Sequence, residues 1–107
     1  MKRFTVNKKE YNAKPFDFNL ICDLEDMGVS VADITRKPIA TVRAYFALCV
    51  NGEKEVAGKE LEEHLKNGGS LEDIMSVMSA EMDESDFFRS LAKNAEAETT
   101  KSQGKKK

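Results

Sequence analysis

His64 is the single histidine of the chain and stands in Glu62-Glu63-His64-Leu65, with Glu60 one helical turn before it. Residues at that spacing share a helix face, so the pair has the makings of an acid–base dyad or of the first ligands to a metal. Neither is completed. Zinc takes several nitrogen or sulfur ligands, and a catalytic dyad needs a nucleophile beside it. His64 therefore reads as a surface histidine on a solvated helix. The carboxylates from Glu81 to Asp86 suggest calcium, yet an EF-hand loop needs alternating ligands around a central glycine, and no glycine occurs there. They read as a capped helix boundary with an acidic, solvated face. Gly68-Gly69 lacks the Lys-Ser or Lys-Thr pair of a phosphate loop and reads as a helix stop. Cys22 and Cys49 are the only thiols, too few for a disulfide framework or a zinc site, and both lie in apolar runs where they are expected to be reduced and buried. No catalytic, cofactor-binding or metal-binding residue is nominated.

Two other sets of residues point to binding. The segment 31–45 has the short-helix, turn, helix outline of a DNA-reading helix-turn-helix, with Arg36, Lys37 and Arg43 as its contacts. Against that, its second helix runs into the apolar stretch Ala44–Val50, which leaves no free face for a groove. The other set is a stripe of Met75, Met78, Met82, Phe87, Phe88 and Leu91. Helical spacing makes core packing the plain reading, above all for Ile74, Met78 and Leu91. Thioethers are flexible and polarizable, however, and such stripes also form adaptable surfaces for apolar helices. The stripe is the candidate partner-binding surface.

The elements that position these residues follow from turn and capping signals. Arg3–Val6 and Tyr11–Ala13 carry β-type residues on either side of the polar Asn7-Lys8-Lys9-Glu10, which predicts a β-hairpin. Asp17 is placed to cap a helix over 18–27 that Gly28 ends. Ser30 and Asp33 form a capping-box pattern for a short helix at 31–35. Pro38 opens a third helix to Val50, since a proline there forfeits no intrahelical hydrogen bond. Asn51-Gly52 fits a helix terminus and equally a two-residue hairpin joining 46–50 to 54–56. An acidic helix follows over 59–66. Ser70 starts the next, and the carboxylates at 83–86 interrupt or restart it before an apolar face at 87–92. Residues 94–107 hold no apolar side chain larger than Ala95 and Ala97 and are expected to be a disordered tail or linker. The expectation is an α+β, mainly α chain: an N-terminal hairpin, then four or five short helices around one core in a single domain over 1–93.

Composition narrows the function further. At 107 residues, 40% hydrophobic and 34% charged, the chain has the make-up of a soluble domain. Its longest apolar run, Ala44–Val50, is far below the ~20 residues that span a bilayer, and its start lacks a hydrophobic leader, so a cytoplasmic, non-membrane protein is expected. A net charge of -2 opposes general nucleic-acid binding. The charge is uneven: residues 1–14 carry five basic side chains and one acid, and residues 53–86 eleven acids and three lysines.

Taken in order over residues 3–93, the hairpin with Phe-Asp-Phe-Asn-Leu-Ile-Cys-Asp-Leu-Glu-Asp-Met-Gly (16–28), Ile-Ala-Thr-Val-Arg-Ala-Tyr-Phe-Ala-Leu (39–48), Glu-Glu-His-Leu-Lys-Asn-Gly-Gly-Ser-Leu-Glu-Asp-Ile-Met (62–75) and Glu-Ser-Asp-Phe-Phe-Arg (84–89) resemble the tail assembly chaperones of long-tailed phages and prophages of Gram-positive bacteria. The resemblance implies a non-enzymatic role without cofactors. The partners it implies are the tape-measure protein and, through a longer frameshifted product, the tail-tube protein. It also implies work in the host cytoplasm and absence from the mature virion. Gly104-Lys-Lys-Lys107 would suit a slippery codon run. Self-association is left open.

Overall fold

The computed structural model describes residues 2–91 and 93. It has the expected architecture: an antiparallel hairpin, β1 (Arg3–Val6) and β2 (Lys9–Asn12), followed by helices packed on one core. The hairpin register pairs Phe4 with Tyr11 and Val6 with Lys9. Its turn is only Asn7-Lys8, and β2 starts two residues earlier than the polar run suggested. Both turn residues have positive φ, 53° and 69°, which is the twist a two-residue hairpin turn needs. Alternation along β1 then buries Phe4 and Val6 against the helices.

Lys14 carries the chain off the hairpin, and its backbone N–H and C=O are both bound by the Tyr45 hydroxyl, at 2.8 and 2.7 Å. Asp17 caps α1 (Phe18–Asp26) by accepting from the Leu20 N–H at 2.9 Å. Gly28, with φ of 89°, lets the chain leave that helix and turn Val29 back into the core. Before the short α2 (Asp33–Arg36), Ser30 and Asp33 cap each other reciprocally. The Ser30 N–H and then the Arg36 guanidinium hold the Asp33 carboxyl below the usual carboxylate range.

The central element is α3 (Pro38–Val50), in which Thr41, Val42 and the run Ala44–Ala47 are all buried. Asn51 ends it in the left-handed conformation, φ 59° and ψ 43°, and the Gly52 N–H returns to the Ala47 carbonyl. Asn51-Gly52 is thus a helix terminus, and residues 54–56 are helical rather than a strand. α4 (Lys54–Lys66) begins five residues before the sequence pattern suggested, because Ala57 packs into the core one turn ahead of Leu61. α5 (Glu72–Glu84) buries Ile74 and Met78, and a sixth helix, α6, covers 86–91. Ser85 separates the last two as a cap: its hydroxyl donates to the Phe16 carbonyl at 2.6 Å and accepts from the Phe88 N–H.

The buried hydrophobic residues form one cluster drawn from the hairpin and from α1 to α5. No helix among the described residues is long and apolar enough to cross a membrane. The expected tail at 94–107 lies outside the described residues.

Cys22 corrects the sequence reading, since it is exposed. In α1 the buried set is Leu20, Ile21 and Leu24, which places Phe18, Cys22 and Glu25 together on the outer face. Cys49 is partly enclosed beside Tyr45, and burial pushes its thiol up to about 11. Iodoacetamide at about pH 8 is therefore expected to alkylate Cys22 alone in the native protein, because the thiolate is the nucleophile. Mass spectrometry should show the second adduct only after denaturation.

Candidate functional site

The histidine cluster is structural. Asn7 N–H donates to His64 Nδ1 at 2.8 Å, so Nδ1 must accept, and Nε2 lies 2.9 Å from the Ser70 carbonyl, so Nε2 carries the proton. Glu60 accepts from the Asn7 side-chain amide at 3.0 Å. Both imidazole nitrogens are thereby committed to joining the hairpin turn, α4 and the loop before α5. Rather than a free surface group, His64 is a half-buried tie. No group of three or more His, Cys, Asp or Glu able to hold a metal occurs among the described residues.

Gly69 makes room for that tie, since a Cβ there would collide with the His64 ring. Gly68 beside it takes a φ of 91° at the end of α4. Gly69→Ala is expected to displace the imidazole and lower the unfolding free energy by about 1–3 kcal/mol, the worth of its two hydrogen bonds. Urea titration checks this, and combining it with His64→Ala should cost less than the two changes added, because both remove the same bonds.

The stripe nominated as partner-binding is divided by the structure. Met78 is buried in the core, whereas Met75 is 40% exposed. Met82 is half-buried and shares a small cleft with Met75, Pro38 and Val42. Phe87 meets the exposed Phe18 edge-on, with ring centroids 5.6 Å apart, and Phe88 meets the buried Phe16 edge-on at 5.3 Å. Leu91 is partly buried against the core. The later half of the stripe is thus occupied in seating α6 on Phe16 and α1.

A larger apolar concavity lies elsewhere. Between α3 and α4 the chain leaves a groove of about 500 Å³, lined by Ile39, Val42, Leu61, Leu65 and Leu71 together with the charged Arg43 and Glu62. Ile39 is 66% exposed and Leu65 46%. Val42 also lines the cleft of Met75 and Met82, so the two depressions adjoin. Sequence reasoning missed this surface. Leu65 continues the Leu61 stripe and reads as core, but it is exposed. Ile39 follows Pro38 in a helix apolar almost all round, and nothing in its own neighbourhood distinguishes it from the buried Val42.

Of the basic residues of the helix-turn-helix outline, Arg36 and Lys37 are exposed and Arg43 is half-buried. Arg36 pairs with Asp33 at 3.0 Å, and α2 spans four residues. The stem of Arg43 lies close against Gly58 of α4.

Comparison with family models, curated proteins and solved structures finds no match. The functional reading therefore rests on the groove and on the residues described above.

Proposed function

We propose that this chain is a tail assembly chaperone of the kind its sequence resembles: a non-enzymatic protein that holds amphipathic helices of the tape-measure protein and helps bring tail-tube subunits to them. The observation that carries the reading is the groove between α3 and α4, with Ile39 and Leu65 at 66% and 46% exposure on its rim. A contiguous apolar concavity is the form of a helix-in-groove site. A tape-measure chain has long helices that must be kept from aggregating until the tube encloses them. One groove of this size gives modest affinity, and many copies along one long partner supply avidity. The net charge of -2 assists solubility only mildly. On this reading the protein works in the host cytoplasm and is left out of the finished virion. A frameshifted extension beyond Lys107 would make the contact to the tube protein.

The test is co-expression of the full chain with a tape-measure protein, the very long helical product that this reading expects from a neighbouring reading frame. Co-purification of the two, lost on Ile39→Asp, is the expected result. Failure to co-purify, or a salt-sensitive gel shift with duplex DNA that Arg36→Ala and Arg43→Ala abolish, would transfer the function to nucleic-acid binding.

A further inference from the structure

The two hydrogen bonds of the His64 ring respond oppositely to a proton. Nδ1 accepts the Asn7 N–H at 2.8 Å and Nε2 donates to the Ser70 carbonyl at 2.9 Å, an arrangement open only to the neutral ring. A proton added at Nδ1 turns that acceptor into a second donor, which then faces the Asn7 N–H. The bond to Asn7 is lost, while the bond to Ser70 gains a charged donor and is kept. Glu60 offers the imidazolium a new acceptor, since it stands one turn before His64 on α4 and already accepts from the Asn7 side-chain amide at 3.0 Å. The other charged groups that the packed elements bring to this corner are Glu63 of α4, Asp73 of α5, which accepts the Thr5 N–H at 2.7 Å, and the exposed Lys8 and Lys9 of the hairpin. Neither lysine belongs to an ion pair among the described residues.

We infer that His64 is a proton-operated latch between the hairpin and the helices: neutral, it holds the turn Asn7-Lys8 on α4, and protonated, it frees that turn while still holding the loop before α5. The release is local. Phe4 and Val6 keep β1 in the core and Asp73 keeps the Thr5 N–H, so the hairpin loosens at its tip without detaching. The tip is the part that gains from release, because Asn7 and Lys8 both hold positive φ, a conformation that costs free energy in residues other than glycine. The ring itself stays in place, packed against Gly69 so closely that a Cβ there would overlap it, and tied to Ser70. None of Asn7, His64 and Ser70 lines the α3–α4 groove, so the latch stands or falls apart from docking there.

The test follows the isotope-labelled full chain by NMR from about pH 8 to about pH 5, the range in which imidazoles change charge. His64 is the single histidine, so one ring titration is observed and needs no assignment by mutation. The ring is expected to be the Nε2–H tautomer at the upper end. The Asn7 amide shift should move with the same midpoint as the ring, and the exchange protection of that amide should fall about tenfold across it, the worth of one hydrogen bond. The Thr5 amide should keep its protection. In His64→Gln, whose side chain accepts without titrating, the response at Asn7 should disappear. The measurement on the unaltered protein stands even if His64→Gln folds poorly. A ring that stays neutral throughout the range, a ring that titrates with no matching change at Asn7, or a change at Asn7 that persists in His64→Gln overturns the latch. Protection lost at Thr5 and along the whole hairpin with the midpoint of the ring overturns it too, because His64 would then support the entire fold instead of the turn.

Discussion

Phe16→Ala is expected to remove about 3–5 kcal/mol of stability, the range for deleting a fully buried aromatic ring. Domains of this size have only about 5–15 kcal/mol in total, so the loss is a large fraction of the stability of the fold. Phe16 has no exposed surface and joins three parts of the molecule. Its ring stacks on Tyr45 of α3 with centroids 5.3 Å apart and planes 16° apart, and it receives the edge of Phe88 from α6. Its carbonyl accepts the Ser85 hydroxyl that caps α6. Truncation leaves a cavity under Tyr45, whose hydroxyl holds Lys14, and removes the seat of α6. Collapse is hindered because both neighbours are fixed by hydrogen bonds, which puts the cost toward the upper end. Phe18→Ala is the control, being 63% exposed, and is expected to cost less than about 1 kcal/mol. Urea titration followed by circular dichroism checks both, and near-equal values would contradict the packing described for residues 13–18.

Local signals carried much of this fold. Asp17, the Ser30–Asp33 pair and Pro38 act through atoms a few residues away, so a reader of the sequence can place them. Asn51-Gly52 was ambiguous because the same left-handed preference serves a helix end and a hairpin turn. Packing of Ala57 and Leu61 on α3 decided for the helix. The start of α4 was hidden for a related reason: Lys54-Glu55-Val56-Ala57-Gly58 has one buried side chain, and its helicity is supplied by tertiary contact more than by propensity. Cys22 was misread by counting apolar neighbours along the chain instead of assigning faces. The tie through His64 joins residues 57 positions apart and was invisible to spacing. The groove was invisible likewise, since a concavity between helices belongs to no single helix. Within the stripe 75–91, periodicity identified apolar side chains correctly but held no information on which of them α1 and Phe16 would cover.

Ile39→Asp is expected to lower affinity for the tape-measure partner by roughly a hundredfold, the scale of losing a central hot spot. The new carboxylate would have to be desolvated against the apolar face of the incoming helix. The same carboxylate is harmless to the free protein. Ile39 lies in the first turn of α3, which contains no acid, and a negative charge there favours the helix dipole by about 0.3–1 kcal/mol. Unfolding therefore does not account for the loss, and an unchanged or slightly raised melting temperature should accompany it. Phe87→Asp makes the opposite demand. It breaks the edge-on contact with Phe18 and loosens α6, yet it lies outside the residues that line the groove, so groove binding is expected to persist. Met75→Asp falls between the two, because Met75 lies in the small cleft that shares Val42 with the groove. If Phe87→Asp or Met82→Asp abolished binding while Ile39→Asp did not, the partner would dock on the methionine–phenylalanine stripe. The α3–α4 groove would then have no part in recognition.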